Sequence, residues 1–568
     1  MRRQARALVE FLSTPRGAWI TLGIAMAASA ALILATAHGE SFGIDEMFYL
    51  GRMVQDSGQV VQFHALSLEY LLGPYNGHLQ LGGKLIYEAT FALFGADYTA
   101  FVVVNVVALC ASVGLAFELA RRQVGSLAAL APCVLLLFLG FAREVLLWPF
   151  DVHTLAAIAF GLGAFLALER DDRRGDVLAC VLITLSVATI EVGLALLVGI
   201  AVLVLLRPDR LRRAWIFVLP GALYIAWWLW ARKFHQDQSA ISIDNVHLIP
   251  KTVFHSAAAV FGALTGTNPV IPATYITAVT WFGKALAVFA AVVLVLRLSR
   301  RKIPPALWAW TAVVLFYWVT MGAAARPPEG MRYVFFGAVG VVLLAAAAAS
   351  GRVGRRLTAG AIVVALLALP ANIAQLRSGS DADTLHHDAG VSRAEFAMLE
   401  LAGDLVEPEY VASADPNVTA VGGGLFIGIP AGAYLRSVKR NGSSAFTLAE
   451  LRGQPEELRK IADITLADAI GLQATVAPRP VGAARCPIVS PRSGSESASF
   501  PLPPGRTVFG PAGQRPVKLG LRRFAGEESG ELEEVPPGAW RGLEIPRDAA
   551  PERWHGVIDA PLRVCFSP

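Results

Sequence analysis

The sequence predicts an α-helical polytopic membrane protein of about eleven transmembrane helices, followed by an extracytoplasmic α+β domain. Three observations predict it. Of the 568 residues, 55% are hydrophobic and 16% charged, against about 25% charged in a soluble globular protein. Apolar runs approaching the roughly 18 residues of a membrane span recur over the first two thirds of the chain and then stop. Short arginine clusters separate those runs. The net formal charge is +5, yet residues 1–376 carry +9 and residues 377–568 carry −4. The positive excess belongs to the membrane part, where it reports orientation, and gives no support to a nucleic-acid partner.

The first apolar run, 17–36, follows "MRRQARALVEFLSTPR". That stretch has the basic start of a signal peptide but no small-residue cleavage site, so it reads as an uncleaved signal anchor. Further runs lie near 98–120, 126–147, 152–168, 177–190, 192–206, 214–231, 274–296, 304–322, 333–350 and 357–376. With a cytoplasmic N-terminus and every run crossing, all the arginine clusters fall inside, giving 20 basic residues inside and 9 outside within the first 376. This satisfies the positive-inside rule. The stretch 177–206, interrupted by Glu191, is read as two short spans, because a single crossing would put the later clusters outside. The expected location is therefore the cytoplasmic membrane, with the C-terminal domain on its outer side.

The outer side then receives a first loop, 37–97, a fourth loop, 232–273, the segment "ARPPEGMRY", and the tail. In the first loop, "HLQLGGKLIYEATFALFG" has helical apolar spacing but is too polar to span, and reads as an interfacial helix. "DEMFYLGRMVQDSG" is a shorter helix candidate, ended by Ser57–Gly58. These boundaries divide the chain into a transmembrane domain, 1–376, and an extracytoplasmic domain, 377–568. In the latter, "SRAEFAMLELAGDLVE" and "TLAELRGQPEELRKIADITLADAIGL" open with a Ser or Thr cap and an acid three residues on, the signature of helix starts. After Gln473, short apolar segments alternate with Gly/Pro turns, which predicts a small β-sandwich. Cys110, Cys133 and Cys180 fall in spans. Cys486 and Cys565 are the only two in the tail, and an oxidising outer compartment lets them form a disulfide.

Under this layout the outer boundary gathers Asp45, Glu46, His78, Lys84, Arg143, Glu144, Asp151, His153, Glu191, Arg326, Glu329 and Arg332. Charged groups beside a hydrocarbon core are expensive and face a partner or a wet cavity. A carboxylate there takes a proton from an attacking hydroxyl. Arginine and lysine there hold a departing phosphate. Each residue also has a plainer reading. Asp45 caps a helix, Glu46 favours its dipole, Arg332 anchors a span end, and Arg143 and Glu144 pair with each other or with neighbours. Asp151 and His153, an Asp-x-His at a span start, are the weak candidate pair for a divalent metal, though such residues more often cap a helix. No phosphate-binding lysine loop, Ser-His-Asp signature or Cys-x-x-Cys pair is present in the sequence, so ATP-driven transport has no support.

Residues 17–350 resemble the GT-C glycosyltransferases, most of all the protein O-mannosyltransferase and aminoarabinose transferase branch. The likeness rests on "GIDEMFYLGRM" opening the first outer loop, on an amphipathic loop helix ending in "LFG" before the second span, and on the Arg-Tyr of "EGMRYVFFGAVG" at a late span. "YNGHL" and "LLWPF" are shared in place with a group of actinobacterial polytopic membrane proteins. The resemblance implies a GT-C fold, a polyprenyl-phosphate sugar donor, and an acceptor hydroxyl on an envelope glycan, lipid or protein. It implies Asp45 as catalytic carboxylate with Glu46 beside it, and Arg332 with Tyr333 near the lipid phosphate. His78, Lys84, Arg143, Asp151 and Arg326 join them as candidate substrate or phosphate contacts. Where that family has a Pro-rich segment this chain has "GPYNGHLQLGGK". The alternative is therefore a non-catalytic relative: a lipid-linked glycan carrier, a flippase component or an envelope scaffold.

Overall fold

A computed structural model describes residues 9–43, 45–56, 59–64, 66–234, 241–271, 277–299, 303–351, 354–381, 385–412, 429–481, 483–492, 495–526, 530–548 and 550–566. The chain divides into two compact units, residues 1–39 with 52–386 and residues 40–51 with 387–568. The second begins ten residues after the boundary expected from sequence, and it takes in 40–51 from the first outer loop.

The first unit is a helical bundle. Each of the eleven apolar runs holds a helix among the described residues, which starts only at Trp281 in the run 274–296 and is broken after Leu137 in the run 126–147. Eight helices of the described residues are long and apolar enough to cross a membrane, nine if the bent pair Ser126–Leu137 and Gly140–Leu147 counts as one span. The chain is thus a multi-pass membrane protein. Arg173–Thr189 and Val192–Leu205 are shorter and form a hairpin around Ile190 and Glu191. Arg207, after the second helix, pairs with Asp171, before the first, at 2.7 Å. Two antiparallel helices, not one long one, therefore occupy 173–205.

One helix was not expected. Ile243–Thr265 falls in what the sequence presents as a loop, because Lys251, Thr252, His255 and Ser256 dilute its apolar run. Its buried face, with Ala258, Ala259, Val260 and Ala263, packs on the helices Trp281–Leu298, Pro305–Ala323 and Met331–Ala349. Length and composition would let it cross a membrane, but its ends argue otherwise. At its start, Ser242 N and Asn245 Nδ2 donate to Ala323 O. Beyond its end, Ile271 and Gln375 exchange two hydrogen bonds of 2.8 and 3.0 Å. Ala323 and Gln375 lie at one end of the bundle, since the neighbours Arg143 and Glu144 reach Ser378 and Arg332 there. The residues before this helix and those beyond it are thus both tied to that end of the bundle. The opposite face carries the basic clusters, tied to acids: Arg122 to Glu169, and Arg213 to Asp171, Asp176 and Asp209.

The first-loop helix Leu81–Phe94 forms as its spacing predicts. The shorter candidate does not run on: helix Glu46–Gly51 ends at Arg52, whose φ of +53° turns the chain into the hairpin Met53–Asp56/Gln59–Gln62. Residues 57 and 58, the expected helix end, lie outside the described residues.

The second unit holds helices Glu46–Gly51, Leu385–Ala402, Ala431–Asn441, Leu448–Arg452 and Glu456–Ala469, then two antiparallel sheets. Thr447 and Glu450 make a capping box at one helix start. The four-stranded sheet runs Ala498–Leu502, Trp554–Ile558, Val517–Arg522, Gly530–Val535. The five-stranded sheet runs Thr475–Val476, Arg541–Ile545, Gly505–Pro511, Leu562–Phe566, Ile488–Val489. Alternating burial along Trp554–Ile558 marks one wet and one dry face. Cys486 and Cys565 are joined, with Cα atoms 5.1 Å apart, which ties the edge strand Ile488–Val489 to its neighbour.

Candidate functional site

Polar side chains converge at the end of the bundle that carries Arg332. The first contributor is a tight turn. Tyr75 and His78 exchange backbone hydrogen bonds of 3.0 and 2.8 Å across Asn76 and Gly77, whose φ values are +47° and +79°. This is the two-residue turn that Asn-Gly favours. It fixes the backbone of His78, three residues before helix Leu81–Phe94. Gly82 lets that helix approach the hairpin closely: a Cβ there would stand 2.1 Å from Thr189 Oγ1. The approach brings Glu191 beside His78, with Oε2 3.0 Å from Nδ1. On the other side of the ring, Arg326 Nη2 lies 3.5 Å from Nε2. The 3.0 Å contact lies outside hydrogen-bond geometry, but a carboxylate beside Nδ1 and a guanidinium donor beside Nε2 both favour the tautomer with its proton on Nδ1.

The second contributor is the broken stretch from Gly140 to Asp151. It consists of short helical pieces, Gly140–Ala142, Arg143–Leu147 and Pro149–Asp151, all buried. Such a break within a bundle needs other donors for its carbonyls. Asn105 Nδ2 supplies them to Val145 O and Leu146 O at 3.0 and 3.2 Å. The break turns Glu144, 2% exposed, toward Arg332. Its carboxylate accepts from Arg332 Nε at 2.7 Å, Nη2 at 2.5 Å and the backbone N at 3.1 Å. The guanidinium also lies over the Trp148 ring, 5.6 Å from its centroid. Its side chain remains 37% exposed. Rings of Tyr75, Phe150 and His153 meet edge to face from the turn into the break, and Trp148 lies tilted against Phe150, with centroids 4.8–5.7 Å apart.

The third contributor is the connection 324–330, each of whose charged residues meets a different element. Arg326 reaches His78, and Glu329 pairs with His255 at 2.9 Å on the unexpected helix. Arg332, just inside the following helix, holds Glu144. The connection opens with a helix stop in which Ala325 N donates to Gly322 O and Arg326 N to Met321 O, with Ala325 at φ +50°. That is the Schellman pattern, with alanine where glycine is usual. Pro327 and Pro328 follow, so the backbone of Arg326 is pinned from both sides. Tyr333 lies within electrostatic reach of Arg332, Arg326, Glu191 and Glu144, and His153 within reach of Arg332 and His78.

Of the expected site residues, the structure thus brings together His78, Asp151, His153, Arg326, Arg332 and Tyr333. Asp151 accepts from Thr154 Oγ1 at 3.3 Å and stands 3.9 Å from His153 Nε2. Among the described residues no group of three or more His, Cys, Asp or Glu side chains is arranged to hold a metal ion. Lys84 goes elsewhere. Its buried Nζ donates to Tyr70 O and Gly73 O, both at 2.6 Å, and lies over the Tyr70 ring. It fastens the loop to the helix, and burial pushes its ammonium down to about 7. Arg143 likewise bonds Ser378 Oγ at 2.7 Å and holds helices together. Glu144 and Glu191, which the sequence left as neighbours of the site, are central to it. Asp45 and Glu46 belong to the second unit. Glu46 is fully buried and accepts from Gly43 N at 3.2 Å, Asp45 is half-buried, and helix Glu46–Gly51 packs on Ala431–Asn441.

No protein-family model and no curated protein matches the chain. Among solved structures it is similar to ArnT from Cupriavidus metallidurans bound to undecaprenyl phosphate, at 16% identity and TM-score 0.44, over 74% of this chain and 84% of that one. It is similar to the Archaeoglobus fulgidus oligosaccharyltransferase tethered with an acceptor peptide, at 14% identity and TM-score 0.41, over 69% and 58%. It is similar to arabinosyltransferase EmbB from Mycobacterium smegmatis, at 12% identity and TM-score 0.37, over 95% and 64%.

Proposed function

We propose that this chain is a membrane glycosyltransferase of GT-C type on the outer face of the cytoplasmic membrane, with its N-terminus cytoplasmic. It moves a sugar from a polyprenyl-phosphate donor to a hydroxyl of an envelope glycan, lipid or protein. The observation that carries the reading is the state of Arg332. Its carboxylate partner is dry, while the arginine side chain is exposed over more than a third of its surface. A second arginine, Arg326, lies at the same end of the bundle. Two guanidinium groups at the mouth of a membrane bundle suit a phosphate that arrives on a lipid.

In the proposed reaction the acceptor oxygen attacks the anomeric carbon and inverts it. The bond from that carbon to the phosphate oxygen breaks, and the lipid phosphate leaves with the electron pair. The hydroxyl proton passes to Asp45 as general base, with Glu46 shaping its surroundings. Arg332 and Arg326 take up the charge that develops on the leaving phosphate, and Tyr333 lies beside them. Asp45 enters by resemblance and position in the sequence, the arginines by geometry.

The test is Asp45→Asn, assayed for transfer from lipid-linked donors in membranes. Transfer is expected to fall by about 10²–10⁴, the usual worth of a general base, with expression and thermal unfolding unchanged. Full transfer would remove Asp45 from the reaction. Donor binding without any product, in the unmodified chain, would favour the carrier alternative. Glycan and polyprenyl-phosphate analysis of a deletion strain would name the donor that accumulates and the glycan that is lost.

A further inference from the structure

We propose that His78 orients Arg326 rather than touching substrate, and that Glu191 sets the imidazole tautomer this requires. The inference rests on the lipid-phosphate reading above and concerns how that reading's second arginine is aimed.

The geometry is directional. The Glu191 carboxylate stands 3.0 Å from Nδ1 without a hydrogen bond, and its charge favours a proton on that nitrogen. Nε2 then faces Arg326 Nη2 with its lone pair, at 3.5 Å. In the other tautomer an N–H would point at an N–H, and the contact would repel. Both ends of the relay are anchored by backbone. The Asn76–Gly77 turn holds His78, and the helix stop at Ala325 with Pro327 holds Arg326. Glu191 occupies the two-residue break between antiparallel helices. A long, flexible arginine side chain loses rotamer freedom when it grips an anion. A ring that presets the plane of the guanidinium removes part of that cost before the lipid arrives.

This role differs from packing in its pattern of substitutions. Glutamine at 78 can place a carbonyl oxygen near the Nε2 position, whereas asparagine reaches only the Nδ1 position. Glutamine and leucine at 191 both remove the charge that favours the proton on Nδ1. The measurement is binding of farnesyl monophosphate to the full chain in detergent micelles by calorimetry, with thermal unfolding recorded for each variant. Loss of one oriented, charge-assisted contact is expected to weaken binding about tenfold in His78→Asn, His78→Phe, Glu191→Gln and Glu191→Leu. His78→Gln should stay within about threefold. Because His78 acts through Arg326, His78→Asn combined with Arg326→Ala should bind no more weakly than Arg326→Ala alone. Combined with Arg332→Ala, its effect should multiply. Should His78→Phe fail to fold, the asparagine and glutamine pair carries the test.

Unchanged binding in His78→Asn, or equal losses in asparagine and glutamine, overturns the positioning role. So does a multiplied loss with Arg326→Ala. If the unmodified chain binds no farnesyl monophosphate, the lipid-phosphate reading falls and takes this inference with it. If Arg332→Ala weakens binding while His78→Asn does not, the inference alone falls.

Discussion

Two arginine–carboxylate pairs in this protein, Arg523–Asp548 and Arg332–Glu144, each have a dry acid, and the two have opposite fates. In the C-terminal sandwich, Arg523 grips Asp548 at 2.5 and 2.6 Å, with both side chains nearly sealed at 3% and 6% exposure. Its Nε donates to Glu552 O, and the guanidinium faces the rings of Phe524 and Trp554. Three successive backbone N–H groups, from Arg523 to Ala525, bind the Asp463 carboxylate beside it. In the bundle, Glu144 is as dry as Asp548, but its arginine partner opens to the exterior. Arg523 spans both oxygens of its acid, whereas Nε and Nη2 of Arg332 share Glu144 Oε1, and exposure of the cation further separates a clamp from a receptor. A sealed pair resists replacement of either member, because the survivor is left as a bare buried charge. A half-open pair tolerates loss of its acid better, since water reaches the arginine.

The largest expected effect is therefore Asp548→Ala. Breaking a sealed pair costs about 3–5 kcal/mol. Hydrogen exchange of the strands Val517–Arg522 and Trp554–Ile558 in the full chain should accelerate by at least about a hundredfold. Unaltered exchange would erase the contrast between the pairs. Next comes Arg332→Lys, which keeps the charge and loses the fork. Transfer is expected to drop about a hundredfold while exchange in Met331–Ala349 changes little. Normal transfer would make Arg332 a clamp like Arg523. Third is Glu144→Gln. The amide still accepts one bond, and the arginine hydrates, so the bundle should lose only about 1–2 kcal/mol. A loss as large as that of Asp548→Ala would mean that Arg332 is not open after all.

The contrast also explains what a reader of the sequence can and cannot recover. The spans, the hairpin around Glu191, the capping box at Thr447 and the sandwich strands follow from periodicity, caps and turns, which are local. The Asn-Gly pair at 76–77 is an equally local signal for the turn that holds His78. The Glu144–Arg332 pair is another matter. Glu144 stands next to Arg143, and adjacent residues on a helix do not face one another. Its real partner is 188 residues away, brought near by a helix break with no sequence pattern of its own. Lys84 shows the converse. Its charge invites a phosphate, but two carbonyls of its own loop take it, and nothing in the letters around it announces them. Ile243–Thr265 was hidden because its polar residues serve neighbours: His255 meets Glu329, and Thr252 and Ser256 are buried.

Backbone strain divides the two units in the same way. Among the described residues, those outside glycine with positive φ are Arg52, Leu66, Asn76, Asp171 and Ala325, all in the first unit. In the second unit only glycines take that conformation, among them Gly505 and Gly538. Asn76 and Ala325 are the turn residues that set His78 and Arg326. An alanine in the left-handed region costs about 1 kcal/mol relative to its relaxed backbone, and such a cost persists where the surrounding structure demands that geometry. Ala325→Gly relieves the strain but frees more backbone in the unfolded chain, so the bundle should gain at most about 0.5–1 kcal/mol. The hydrogen bonds of the helix stop and Pro327 remain, so Arg326 should keep its place and transfer should be unchanged. Thermal unfolding and transfer measured on the same preparation separate the outcomes. A stabilised and fully active variant means that the alanine is incidental to the aim of Arg326. A stabilised variant with weaker transfer means that the stiffness of the alanine, and not only the hydrogen bonds around it, holds the guanidinium in line. A destabilised variant would show that no strain is stored at this position, and the parallel between strained turns and open charges would end there.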